Sequence, residues 1–144
     1  MKILLPVDGS DGALEAVRHA LRLAHDGLRA SFVLANVQEP ASLYEVVVAH
    51  DAQVIEQVSE AAAAHALAPA QALLRAAGVE FECEIGHGDP GHVLVEIAER
   101  CGCDLLILGA RGRDQADGDA IGPVAAAVLE HAKAPVMVVK RGDT

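Results

Sequence analysis

Residues 3–12, Ile3-Leu4-Leu5-Pro6-Val7-Asp8-Gly9-Ser10-Asp11-Gly12, hold a short apolar run that stops abruptly at a cluster of turn residues. The run from Ile3 to Val7 reads as a first strand. Asp8 to Gly12 then supplies turn chemistry and side chains able to cap a helix. Beyond it Ala13, Leu14, Val17, Ala20, Leu21 and Ala24 recur at helical spacing, and Gly27 sits where a C-terminal glycine belongs. A strand leading straight into an amphipathic helix opens a βαβ unit, and the same order continues along the chain.

Working outward, Phe32 to Val37 reads as a second strand, and Gln38 to Asp51 has no period and is read as the mobile stretch. Val54, Ile55, Val58 and Ala62 open a long helix towards Ala77-Gly78, in which Pro69 predicts a kink or break near Ala68. Val79 to Ile85 alternates. Val79, Phe81, Cys83 and Ile85 share one face, expected to be buried; Glu80, Glu82 and Glu84 share the other, which predicts an edge strand. Asp89-Pro90 opens a helix whose buried stripe is Val93, Leu94, Ile97, Ala98 and Cys101, ended by Gly102. Leu105 to Leu108 lacks alternation, which predicts a central strand buried on both faces. A glycine- and charge-rich loop, Gly109 to Gly122, leads to a last helix carrying Val124, Ala125, Val128, Leu129 and Ala132, and Pro135 precedes a final strand, Val136 to Val139. Alternating strands and helices predict one α/β domain over residues 1–144, with a parallel sheet, right-handed crossovers and helices on both faces.

Composition narrows the function classes. The 144 residues carry a net charge of −10, which argues against a broad nucleic-acid or anionic-membrane footprint. Aromatic residues make up 2%, with no Trp, so base-stacking platforms are excluded and the core must be aliphatic. The opening apolar run meets Pro6 and Asp8 too soon for a signal-peptide core, and no stretch approaches the ~20 apolar residues of a membrane span. Three cysteines without framework spacing point to a reduced, cytoplasmic protein.

In open α/β sheets ligands bind beyond the carboxyl ends of strands, where strand order reverses. Two loops carry suitable chemistry. The first presents Asp8, able to accept from a ribose or a base amine, or to serve as a turn or capping carboxylate. The second spaces Gly109, Gly112 and Gly122 around Arg111 and Arg113, ahead of a helix N-terminus that offers free N–H groups to an anion. Other candidates are weaker. Gly86-x-Gly88-x-x-Gly91 matches a dinucleotide fingerprint, but Asp89 stands where pyrophosphate would come. His87 and His92 lie near Asp89 without a second cluster to complete a metal site. Cys101-Gly102-Cys103 reads as a pair of buried reduced thiols, and Ser10 as an N-cap rather than a nucleophile.

The run Ile3 to Ser10, the Gly109-x2-Gly112-x9-Gly122 spacing, Leu105 to Gly112 and Ala134 to Val139 together resemble the universal stress protein family over essentially the whole chain. The resemblance implies a five-stranded Rossmann-like sheet in the order 3-2-1-4-5 and a cytoplasmic, dimeric stress-response module that binds or regulates. By position, Pro6, Val7, Asp8 and Val37 would line an adenine and ribose site; Gly109, Arg111, Gly112, Gly122 and Val124 would surround phosphates. The final strand, Val136, Met137, Val138 and Val139, would be an uncovered apolar edge that pairs with its own copy. One departure matters. The ATP-binding branch has Ser or Thr after the last motif glycine, where this chain has Pro123, with neither hydroxyl nor N–H. Asp114, Asp117 and Asp119 crowd the same loop, although magnesium can bridge carboxylate to phosphate. The expectation is therefore an adenine-nucleotide crevice, with or without magnesium, weakened towards ATP. The alternative is an adenine-nucleotide enzyme, a slow ATPase or a relative of the PP-loop pyrophosphatases.

Overall fold

Strand β1 (Lys2–Pro6) is hydrogen-bonded on both sides in a computed structural model, which describes residues 1–39, 52–111 and 121–140, the side chains of 52–56 excepted. Its neighbours are β2 (Ser31–Gln38) and β4 (Leu105–Gly109), both parallel to it, with Ile3 opposite Phe32 and Leu105. Edge strands β3 (Phe81–His87) and β5 (Val136–Val139) complete the order β3-β2-β1-β4-β5, as expected. Helices α1 (Asp11–His25) and α2 (Ala52–Ala77) cover one face, and α3 (Pro90–Arg100) and α4 (Pro123–His131) the other.

The missing alternation in β4 has the predicted cause, and β1 shares its burial on both faces. Ile3, Leu5, Phe32, Leu34 and Ile107 pack beneath α1 and α2, while Leu4, Val33, Ala35, Leu106 and Leu108 pack beneath α3 and α4. Two aliphatic layers thus share one sheet, and each β1 or β4 residue between the strand ends is buried on whichever side it points.

Two expectations fail. The long helix does not break near Ala68; α2 runs through Pro69. Pro69 and His65, four residues earlier, both lie on the exposed side of α2, so water can satisfy the carbonyl that Pro69 leaves without a donor. Cys83 is exposed rather than buried, and Ile85 is 43% exposed. Alternation along β3 is real, but α2 lies over β2, one strand inwards, and Gln71 and Arg75 are side chains that reach the edge. Gln71 Nε2 donates to Cys83 Sγ at 3.2 Å, and the Arg75 guanidinium lies 5.7 Å from the Phe81 ring centroid. On the opposite face Lys2 pairs with Glu82 at 3.5 Å and Arg100 with Glu84 at 3.2 Å. The segment 40–51, most of the stretch read as mobile, lies outside the described residues.

One close approach locks α1 to the sheet. A Cβ on Gly109 would stand 2.7 Å from Gly12 O and 2.9 Å from Gly12 C, and one on Gly12 would stand 2.7 Å from Arg111 O. The start of α1 and the end of β4 therefore touch backbone to backbone, with no side chain able to yield.

Two expected outcomes follow from these contacts. Gly109→Ala should lower the urea midpoint by an amount equivalent to about 1–3 kcal/mol, the usual cost of overpacking; an unchanged midpoint would mean the backbones do not meet. Thiol labelling of the native chain at pH 8 should modify Cys83 first. Cys103 should be slow, because burial pushes its pKa up to about 11 and leaves little thiolate. Since the folded chain holds that proton where the unfolded chain releases it, this stabilising contribution is whole below pH 9.0 and is lost as pH rises through about 11. Labelling of Cys83 as slow as that of Cys103, read by mass spectrometry, would restore the buried reading of β3.

Candidate functional site

The chain leaves β1 for one face through α1 and leaves β4 for the other through α4, so the two connections part at the carboxyl ends of adjacent strands. A crevice of about 450 Å³ opens there. Its contents can be built strand by strand.

At the end of β1, Pro6, Val7 and Asp8 form one wall. Asp8 Oδ1 accepts the Ser10 N–H at 2.9 Å, and Ser10 Oγ accepts the Ala13 N–H at 3.1 Å, capping α1. The turn between them needs Gly9, whose φ is +87°. Ser10 is therefore the N-cap that the sequence indicates, and Asp8 is both a turn residue and a crevice residue.

The floor is set by β2. Val7 N–H donates to Ala35 O at 2.8 Å, and Asn36 Nδ2 donates to Val7 O at 2.8 Å. Gln38 Nε2 in turn donates to Asn36 Oδ1. Asn36 is 3% exposed, a buried amide in an otherwise apolar strand interior. Sequence reasoning passed over it, although a single amide within Phe32-Val33-Leu34-Ala35-Asn36-Val37 is itself a signal, because a buried polar side chain must find partners. Val37, Ala62 and Ala66 of α2, and Pro90 and Leu94 of α3, close the apolar sides. The alanines went unnoticed in an alanine-rich helix; their small side chains leave the crevice its depth.

The far wall comes from β4 and α4. Leu108, Gly109, Ala110 and Arg111 meet Gly122, Pro123, Val124 and Ala125 across it. Gly122 N–H donates to Ala110 O at 2.7 Å, and Ala110 N–H to Val139 O at 3.0 Å. Two glycines expected to attend phosphates thus have structural duties: Gly109 admits Gly12, and Gly122 ties α4 to β4. Pro123 is the first residue of α4, which has no side-chain cap. With Gly122 N–H taken and Pro123 lacking one, the first turn presents the N–H groups of Val124 and Ala125. Gly112, Arg113, Asp114, Asp117 and Asp119 lie outside the described residues. Every other position expected to contact a nucleotide, namely Pro6, Val7, Asp8, Val37, Gly109, Arg111, Gly122 and Val124, borders this one crevice.

The weaker motifs find other uses. A Cβ on Gly91 would stand 2.6 Å from Ala127 Cβ, so this glycine lets α3 approach α4. Asp89 Oδ2 caps α3 by accepting the His92 N–H at 3.2 Å and lies 3.1 Å from His92 Nδ1. His87 instead faces Ser59, with Nε2 and Oγ 3.0 Å apart, so the two histidines have separate partners. Burial and a 3.5 Å hydrogen bond to Glu84 push the Cys101 thiol pKa up, and Cys103 is raised further, the reverse of an activated redox pair. No helix among the described residues is long and apolar enough to cross a membrane.

Comparison with known proteins agrees with this architecture. A family model described as the universal stress protein family matches residues 1–140. A universal stress protein of Methanocaldococcus jannaschii is 29% identical over 140 residues, which cover 97% of this chain and 82% of that protein. The structure of universal stress protein UspA from Lactobacillus plantarum superposes with a TM-score of 0.78 at 26% identity, covering 96% of this chain and 97% of that one. A universal stress protein in complex with cAMP superposes at 0.66, also 26% identical, over 97% and 96% of the two chains. With the family's pattern running from the first strand to the last, the chain belongs to the universal stress protein family.

Proposed function

We propose that the crevice between β1 and β4 is an adenine-nucleotide site and that the protein is a dimeric, cytoplasmic stress-response module that binds or regulates. The observation that carries this reading is convergence: residues far apart in sequence, from Pro6 to Val124, border one cavity of about 450 Å³. That size falls within the roughly 300–1,000 Å³ of small-molecule sites. The cAMP complex of a family member gives independent support for an adenine nucleotide.

The walls differ in chemistry, and the ligand's parts sort accordingly. Val7, Val37 and Pro6 offer apolar surface to a base, and Asp8 accepts from ribose hydroxyls. Arg111 and the Val124 and Ala125 N–H groups face the phosphates, where a helix N-terminus favours negative charge. Pro123 removes a donor at the distal end and leaves the base end untouched, so ATP loses more than AMP. The carboxylates that would hold magnesium, Asp114, Asp117 and Asp119, lie outside the described residues. An enzymatic reading gains nothing from Ser10, whose hydroxyl caps α1.

For assembly, the free edge of the sheet at β5 is the proposed contact. Val136, Met137, Val138 and Val139 are all half-buried, and β5 pairs only with β4 among the described residues. A second copy meeting this strand about a two-fold axis would cover both edges at once.

Calorimetric titration should show weak ATP binding that discriminates little between AMP and ATP. Charge-assisted hydrogen bonds contribute about 1.5–3 kcal/mol each, so Pro123→Ser should strengthen ATP by roughly one to two powers of ten and AMP much less. Tight ATP binding by the unaltered chain would contradict the role given to Pro123; absence of any adenine nucleotide binding would overturn the site. Sedimentation at micromolar concentration should find a dimer, and Val138→Lys should yield monomers. A dimer that persists in that variant would place the contact elsewhere.

A further inference from the structure

Asn36 is almost fully buried, at the point where β1 and β2 part company. The paired register of the two strands ends at Pro6 and Ala35, and Val7 N–H to Ala35 O, at 2.8 Å, is their last backbone hydrogen bond. The next bond towards β1 comes from a side chain, Asn36 Nδ2 to Val7 O, also 2.8 Å. Its direction is fixed by chemistry. A carbonyl oxygen only accepts, so the Asn36 atom beside it must be the amide nitrogen. That leaves Oδ1 to accept from Gln38 Nε2, and the chain Gln38 to Asn36 to Val7 has one orientation.

The bond acts on the peptide plane that joins Val7 to Asp8. That plane is rigid, and holding its oxygen fixes the position from which the Asp8 side chain departs. Ser10 N–H then holds Asp8 Oδ1 from the other side. We infer that Asn36 is a positioning residue for nucleotide binding: through Val7 O it sets the Asp8 carboxylate where ribose hydroxyls are read. This inference rests on the reading of Asp8 as the ribose acceptor. Asn36 borders the crevice floor, and in this role it acts through Val7 O; Gln38 keeps its amide from turning.

The test compares AMP with 2′,3′-dideoxy-AMP by calorimetry on the full chain. A correctly placed carboxylate should give the unaltered protein a preference of about tenfold for AMP. In Asn36→Leu, of similar size but without polar atoms, that preference should vanish through loss of AMP affinity, with the dideoxy affinity unchanged. General damage to the crevice would weaken both ligands and keep their ratio. A ratio retained in Asn36→Leu overturns the inference and leaves the nucleotide site standing. No preference in the unaltered protein overturns the ribose reading of Asp8 and this inference with it. Should Asn36→Leu fail to fold, Gln38→Leu frees the Asn36 amide from a half-exposed position and should cut the preference about threefold or more; an undiminished preference there is equally decisive against the proposal.

Discussion

Strand β1 has to satisfy hydrogen bonds along both edges and bury side chains on both faces, and the rest of the molecule is arranged around that demand. Pairing with β2 and β4 takes up its edges, and two helices on each side of the sheet take up its faces. Once β1 sits between strands whose crossovers leave in opposite directions, the helices cannot meet at its carboxyl end. The crevice is what remains. It needs no dedicated element, because topology opens it and the loops after β1 and β4 line it.

The lining shows how residues serve fold and site together. Gly109 and Gly12 bring α1 against the end of β4, which places the Ser10-capped start of α1 beside Arg111. Asn36 ties the turn after β1 to β2, and Gly122 ties the start of α4 to β4. Each tie is a backbone contact or a bond to backbone, so the polar groups offered to a ligand are held before it arrives. Preorganisation of this kind lowers the ordering cost of binding.

Much of this was legible in the sequence, for reasons that particular residues make plain. The unbroken apolar run at Leu105–Leu108 marks a central strand, and glycine or proline punctuation at Gly27, Pro90, Gly102 and Pro123 marks the helix ends. Alternation at Phe81, Cys83 and Ile85 told which side each residue takes, but not whether a helix covers that side at the sheet's edge. Pro69 was read as a breaker because its solvent-facing setting has no sequence signature beyond the helical phase itself. Gly109 was recognised as a site residue, yet its contact lies with Gly12, far away along the chain, and pairwise approaches of that kind leave no local pattern. Asn36 carried a signal, a lone amide in a buried strand, which motif spacing alone does not pick up.

The central claim is that a nucleotide occupies the crevice formed where β1 and β4 end, and chemical-shift mapping of the amide signals during titration with AMP tests it most directly. Shifts should cluster at Val7 to Ser10, at Val37 and Gln38, and at Gly109, Val124 and Ala125, with α2 beyond Ala66 and the Glu96–Arg100 end of α3 unmoved. Shifts centred on Gly86–Gly91, or no shifts at all at saturating AMP, would contradict it.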